Sequence, residues 1–278
     1  FLQKTLFLQQ KKNIAMTYGV VNQCLAALRN EPFEHSEMVN QVLFGETFTV
    51  IEKHKDWLRI QLTHDQYEGW LDTKSCKVFD QEQMDLLDLP DATHVATRLF
   101  KAKSNNSDYP IRLCPGSNLY YFDAENGTFT LANEEFKTYN LPFEKPDRTK
   151  AGCIEAYAYD FINSPYLWGG RSPYGIDCSG LTQILYKMIG IPIPRDANQQ
   201  VALGNTVEFI NMVKPGDLAF FDDEEGNIYH VGIILPENRI IHSSGFVKLD
   251  YIDHQGIYSA KTKQYSHKLR VVQRIIED

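Results

Sequence analysis

Three side chains in the C-terminal half of the chain could together activate a nucleophile: Cys178, His230 and His242. Cys178 opens the clearest amphipathic run in the sequence. Leu181, Ile184, Leu185, Met188 and Ile189 recur at helical spacing, which predicts a helix over 178–189. Asp177 stands where an N-cap belongs, and Gly190 followed by Pro192 supplies the stop. A cysteine in the first turn meets free backbone N–H groups and the positive end of the helix dipole, both of which favour thiolate. The preceding loop, Trp168 to Gly175, is too polar and glycine-rich to bury the thiol completely. A structural cysteine at a helix start is the competing reading, and the histidines decide between the two.

His230 opens the apolar strand His-Val-Gly-Ile-Ile-Leu, and His242 lies in the next one, Arg-Ile-Ile-His-Ser-Ser. Pro236-Glu237-Asn238 reads as a three-residue hairpin turn between them. A register that joins Leu235 to Arg239 also sets Gly232 opposite His242. His230, two residues from Gly232, then shares its face. The imidazoles become diagonal neighbours about 7 Å apart between backbones, and Gly232 leaves room for a ring. His242 could then bond one nitrogen of His230 and fix the tautomer that takes a proton from Cys178. Two half-buried strand histidines bonded to backbone are the plainer reading for either residue alone. A one-residue slip would separate the pair.

The same region admits a zinc reading with Cys153, Cys178, His230 and His242, but the spacing matches no common closed site. No metal and no cofactor are expected. His35, His54, His64, His94, His254 and His267 read as surface or core histidines, and the acidic run Asp222 to Glu225 as solvated loop. The five cysteines, Cys24, Cys76, Cys114, Cys153 and Cys178, are odd in number and form no CxxC, which argues against a disulfide framework. The net charge of −8 leaves no basic footprint for a nucleic acid. No apolar run is long enough for a transmembrane helix. Phe1 to Lys12 is a poor signal peptide as it stands.

The 278 residues, 43% hydrophobic and 23% charged, accommodate two or three small domains. Short apolar alternations at Val20–Leu25, Val42–Leu43, Thr47–Ile51, Trp57–Leu62 and Gly69–Leu71 predict a small barrel over residues 1–80. Gly45-Glu46 and Asp65 to Glu68 are its turns. Residues 81–93 read as an acidic connector and 94–142 as a second, degenerate barrel, giving a second unit over 81–145 and a linker over 142–149. The third unit, 146–278, mixes a helix over 151–162 and the Cys178 helix with strands at 217–221, 230–235, 239–243 and 269–275. The fold class is α+β.

Read together, Pro165-Tyr-Leu-Trp-Gly-Gly170, Asp177-Cys-Ser-Gly-Leu181, Pro215-Gly-Asp-Leu218, His230-Val-Gly-Ile233 and Ile241-His-Ser-Ser244 resemble the NlpC/P60 family of bacterial cysteine peptidases over residues 150–278. Leu28 to Pro32, Gly45-Glu46, Trp57 and Tyr67-Glu-Gly-Trp70 look like a bacterial Src-homology-3-like barrel. Two barrels before a papain-like peptidase domain are similar to the γ-D-glutamyl-L-diamino acid endopeptidase branch of that family. The resemblance implies a Cys178–His230–His242 triad as nucleophile, base and orienting member. It implies an oxyanion site from the Cys178 N–H and the Tyr166 hydroxyl. The implied reaction cuts the bond from the γ-carboxyl of D-glutamate to meso-diaminopimelate or lysine in peptidoglycan stem peptides. In this branch the first barrel narrows the cleft, so peptides with a free N-terminal L-alanine are preferred. A cationic amine needs a carboxylate and an aromatic wall. Asp177, Glu31 and Tyr67 are the candidate contacts, with Ser179, Trp168 and Arg195-Asp196 lining the cleft. The second barrel lacks a clear closing Gly-Trp and receives no site residue.

Two other function classes stand beside this one: a thiol-dependent amidase or acyltransferase acting on another acyl donor, and a wall-binding module with an inert catalytic domain. The expected partner is a peptidoglycan-derived peptide, the expected assembly a monomer, and the expected location the cell envelope, periplasm or exterior, with a cytoplasmic recycling role as the alternative.

Overall fold

The computed structural model describes residues 17–87, 92–143 and 149–277. Phe1 to Lys12 and most of the linker expected over 142–149 lie outside them. Seven strands form the first unit: β1 (Thr17–Val21), β2 (Leu25–Arg29), β3 (Met38–Leu43), β4 (Thr47–His54), β5 (Trp57–Leu62), β6 (Glu68–Asp72) and β7 (Cys76–Phe79). They join in the order β3-β2-β6-β5-β4-β1-β7 around Leu28, Val42, Phe48, Ile60, Leu62 and Leu71. The expected strand Val20–Leu25 is divided, because the chain turns at Asn22 to Cys24 between β1 and β2. The expected connector over 81–93 begins as a helix, α1 (Gln81–Leu87), which buries Met84 and Leu87.

The second unit holds β8 (Thr93–Val95), β9 (Phe100–Ser104), β10 (Ile111–Leu113), β11 (Asn118–Asp123), β12 (Thr128–Leu131) and β13 (Glu134–Thr138) in one sheet, β10-β9-β13-β12-β11-β8. Phe44, from the β3–β4 turn of the first unit, enters this core edge-on to Phe129 and Phe136. Gly45 makes the entry fit. Its φ is +79°, and a Cβ there would stand 2.1 Å from the Asn118 carbonyl oxygen. All five cysteines are free thiols, and Cys24 and Cys114 bring their sulfurs within 3.5 Å across the two units.

The third unit begins with α2 (Lys150–Ala158), capped by the Thr149 hydroxyl on the Gly152 N–H, and a short 3₁₀ turn at Tyr159–Phe161. A two-stranded ribbon follows, β14 (Arg171–Ser172) and β15 (Gly175–Ile176), then α3 (Cys178–Met188) and α4 (Ala197–Gln200). The last sheet is β16 (Asn205–Val207), β17 (Leu218–Asp222), β18 (Ile228–Leu235), β19 (Arg239–Ser244), β20 (Phe246–Ile252), β21 (Gly256–Ser259) and β22 (Gln264–Arg274). Its order is β16-β22-β17-β18-β19-β20-β21, and β22 also pairs with β21, so β17 to β22 close on themselves. Period-2 alternation gives this ring two faces. Ala219, Phe221, Ile234, Ile240, Ile252, Ile257 and Val272 cluster on one. Leu218, Phe220, Val231, Ile233, Leu235 and Ile241 pack on the other, against α3. Leu181, Ile184 and Leu185 are wholly buried there, each contributing about 1.5–3 kcal/mol by leaving water. That packing seats the N-terminus of α3 beside the start of β18. The architecture is α+β: a papain-like domain behind two small β-rich units, the first of them Src-homology-3-like. Among the described residues no helix is long and apolar enough to cross a membrane.

Candidate active site

Asp177 caps α3 from an extended backbone, its Oδ1 accepting the Gly180 N–H at 2.7 Å. Its Oδ2 accepts the Gly169 N–H at 2.8 Å. The buried Arg195 adds a fork, Nη1 to Oδ1 at 3.0 Å and Nη2 to Oδ2 at 2.5 Å. Arg195 also reaches the Ser179 hydroxyl at 2.8 Å and, through Nε, Asn40 Oδ1 of the first unit at 2.8 Å. The helix start is therefore locked by a charge-assisted cage. Cys178, one residue inside it, is 8% exposed. Backbone N–H groups of Val231 and Ser179 act on its sulfur to favour the thiolate. The helix start was expected to favour thiolate. Burial instead pushes the Cys178 thiol up to about 12, with the Asp177 carboxylate adding to it, against the smaller pull of those two N–H groups and Arg195. That balance favours a neutral thiol over a thiolate at rest.

The β18–β19 ladder has the expected register, Leu235 with Arg239 and Ile233 with Ile241. His230 and His242 meet on one face, Nε2 to Nδ1 at 2.9 Å, with ring planes 81° apart. The space at Gly232 is not taken by a histidine ring: a Cβ there would meet the Ile240 side chain at 2.7 Å. Burial first, then the nearby His242, His267 and Lys248, hold the His230 pKa well below its usual value. Burial lowers His242 as well, partly offset by Asp250.

Two members of this cluster escaped the sequence reading. Asp250 Oδ2 lies 3.1 Å from His242 Nε2. The signal was available: Gly245 turns β19 into β20, and Ser244 pairs with Phe246 and His242 with Lys248, which puts Asp250 on the same face as His242. His267, read as an ordinary histidine, stacks on His230 with centroids 4.2 Å apart and planes at 24°. Nothing in its local sequence marks it, because β22 meets β18 only through closure of the ring.

Nitrogens of His230, His242 and His267 come within 4.8 Å of one another, the set best placed among the described residues to hold a metal. It contains neither Cys153 nor Cys178, so the four-residue zinc set is not the one the fold assembles. Its geometry also suits an ion poorly. The nearly parallel His230 and His267 rings do not converge their lone pairs, and 2.9 Å between His230 and His242 is a shared hydrogen rather than two metal bonds.

A cleft of about 380 Å³ opens over Cys178. Val39 and Tyr67 of the first unit form part of its wall, facing Trp168, Asp196 and Tyr229; Asp177, Ser179 and Arg195 also reach it. Trp168, largely exposed, donates its indole N–H to Glu37 Oε1 at 2.8 Å, a second tie to the first unit. Burial, then the Asp196 charge, pushes the Tyr67 hydroxyl up to about 12. Tyr166 is also raised to about 12, by burial and then by Cys178 and Asp177, so it stays an O–H donor. Glu31 lies exposed in the β2–β3 turn, and the cleft wall does not include it. Asp177 reaches the cleft, but both of its oxygens are taken by Arg195 and backbone N–H groups. Asp196 is the further carboxylate in the wall, and burial raises its pKa against the opposing pull of Arg195.

Comparison with known proteins agrees with this architecture. Residues 163–270 match the NlpC/P60 family, and residues 28–75 match the bacterial dipeptidyl-peptidase Sh3 domain. A γ-D-glutamyl-L-lysine dipeptidyl-peptidase of Bacillus subtilis is 31% identical over 217 residues, 73% of this chain and 71% of that protein. Its Bacillus cereus counterpart is 29% identical over 75% of this chain and 68% of its own length. Dipeptidyl-peptidase 6 of Lysinibacillus sphaericus is 29% identical over 81% and 87%. In fold, the chain is similar to the crystal structure of an NlpC/P60 family protein from Bacillus cereus, with a TM-score of 0.77 over 94% of this chain and 100% of that one, at 20% identity. This chain belongs to the NlpC/P60 family of cysteine peptidases.

Proposed function

We propose that the chain hydrolyses the γ-D-glutamyl bond to lysine or meso-diaminopimelate in peptidoglycan stem peptides, prefers those with a free N-terminal L-alanine, and releases L-Ala-γ-D-Glu. The carrying observation is the cleft itself. Tyr67 and Val39 of the first unit wall it beside Cys178, leaving about 380 Å³, space for a short peptide end. The wall offers an aromatic hydroxyl and the Asp196 carboxylate where a terminal ammonium would sit. Asp177, with its charge matched by Arg195, serves the helix start.

In this reading Cys178 Sγ attacks the γ-carbonyl carbon as His230 takes the thiol proton. The oxyanion is held by the Cys178 N–H and the Tyr166 hydroxyl. The tetrahedral intermediate collapses to a thioester, and His230 returns the proton to the departing amine of the diamino acid. Water, deprotonated by His230, then cleaves the thioester, and the thiol is regenerated.

Mass-spectrometric product analysis tests the whole proposal. L-Ala-γ-D-Glu-L-Lys and its meso-diaminopimelate analogue should each yield L-Ala-γ-D-Glu. N-acetylated versions should be cut at least tenfold more slowly, and Cys178→Ala should yield none. Tyr67→Phe and Asp196→Asn should raise KM for free-amine peptides far more than for acetylated ones. Equal rates on free and acetylated peptides would discard the amine pocket. Turnover by Cys178→Ala would discard the nucleophile.

A further inference from the structure

His230, His242 and Asp250 lie on β18, β19 and β20, three neighbouring strands. The two registers place each residue diagonally from the next on one face. The contacts follow that diagonal: His230 Nε2 to His242 Nδ1 at 2.9 Å, then His242 Nε2 to Asp250 Oδ2 at 3.1 Å. His242 is fully buried and His230 nearly so, so both rings depend on each other and on Asp250 for partners.

A neutral imidazole has one N–H and one lone pair, while an ionised carboxylate only accepts. Burial keeps both rings neutral near pH 7. The chain of hydrogens then has one solution. Asp250 accepts, so His242 carries its proton on Nε2. His242 Nδ1 is then an acceptor, so His230 must carry its proton on Nε2. The lone pair of His230 is thereby left on Nδ1, the nitrogen not committed to His242. His267 packs against His230 by its face and takes its own Nδ1 contact from Ser266 Oγ at 2.8 Å.

We infer that Asp250 is a positioning residue that sets, through His242, the tautomer in which His230 holds a free lone pair on Nδ1 for the Cys178 proton. The inference rests on the proposed role of His230 as base. It also makes a statement about hydrogen positions that holds without any turnover.

The decisive variant is Asp250→Asn. It keeps the volume, but its amide can turn an N–H toward His242 Nε2. Every hydrogen in the chain then reverses, and His230 carries its proton on Nδ1, with no lone pair free for the thiol. Asp250→Ala removes the carboxylate and leaves room for water, which can accept or donate. A purely structural Asp250 predicts that Ala is the worse change, because it opens a cavity and strands the His242 N–H. The tautomer role predicts the opposite order. Asn should lose kcat by on the order of 10³-fold or more, the scale of a wrong catalytic tautomer. Ala should lose about tenfold, and Asp250→Glu should recover much of the rate.

Two-bond ¹H–¹⁵N correlation spectra of the wild-type protein and of Asp250→Asn supply a readout separate from activity. The expected result is a His230 Nε2–H tautomer in the wild type and Nδ1–H in the Asn variant. A wild-type His230 protonated on Nδ1 would overturn the inference by itself, even if the Asn variant failed to fold. So would an Asn variant at least as active as Ala. Absence of peptide turnover with the expected wild-type tautomer would count against the proposed reaction and leave the relay standing.

Discussion

Burial disfavours the charged form of both Cys178 and His230. Burial raises the thiol to about 12 and holds the imidazole well below its usual value, two shifts with one cause, since low polarity disfavours both charges. In the proposed reaction the thiol would then give its proton to His230 as the bond forms, in place of a standing thiolate–imidazolium pair. Alkylation separates the two states. Below a thiol's pKa the thiolate fraction rises about tenfold per pH unit, so the iodoacetamide rate at Cys178 should climb steadily from pH 6 to pH 9 without levelling. The four other free thiols are subtracted with Cys178→Ser. A plateau reached below pH 7 would show a preformed ion pair and discard the neutral one.

Among the elements, the ring of strands β17 to β22 places three imidazoles close together: His230, His242 and His267. All three are lowered, chiefly by burial, His267 to about 4. In the unfolded chain each would titrate near pH 6.5. Below that pH the unfolded state binds more protons than the folded one, so stability falls as pH drops from 6.5 toward 4 and these groups add no slope above 6.5. The urea midpoint should hold between pH 7 and 8 and fall through pH 6 and 5. Paired carboxylates fall over part of the same range, so His267→Phe is the control: it keeps a ring to stack on His230 and removes one titration. Its midpoint should fall less steeply, and an unchanged slope would remove His267 from the account. At this scale much was legible in the sequence. The one-sided apolar spacing of α3 and its Asp177 cap sit where the pattern puts them, because a helix buried on a ring of strands must show that period. The β18–β19 register followed from the length of one turn. Asp250 needed a second turn to be read after the first. The helix at Gln81–Leu87 was hidden by its polar composition, with Met84 and Leu87 its only buried residues.

Across the whole molecule, the first unit is fastened to the third by charges the sequence does not advertise. Glu46 read as a turn residue, yet its carboxylate is 1% exposed. Arg171, wholly buried, donates to both of its oxygens at 2.8 Å, and Lys187 of α3 donates to Oε1 at 2.7 Å. Glu46 Oε2 also accepts the Leu43 N–H at 2.8 Å. These partners lie 125 and 141 positions away, beyond any local pattern. Burial pushes the Glu46 pKa up, but Arg171, Lys187 and His64 more than offset it and hold it well below the carboxylate range. The same interface carries the Asn40–Arg195 bond and the cleft wall at Tyr67, so its integrity fixes the shape of the candidate site. Glu46→Gln keeps the volume and removes the charge, leaving Arg171 and Lys187 only the Asp65 carboxylate as a counter-charge. Breaking one side of such a cluster costs about 3–5 kcal/mol, so the urea midpoint should drop sharply, and any selectivity for free-amine peptides proposed for the cleft should weaken with it. Replacing all three, Glu46→Leu with Arg171→Met and Lys187→Met, should restore most of the lost stability, because the carboxylate and its two cations leave together while Asp65 keeps His64, the Gln183 amide and the Tyr67 N–H. A triple variant as unstable as Glu46→Gln would mean that the cluster's hydrogen-bond geometry, including its hold on the Leu43 N–H, matters more than charge balance at this joint.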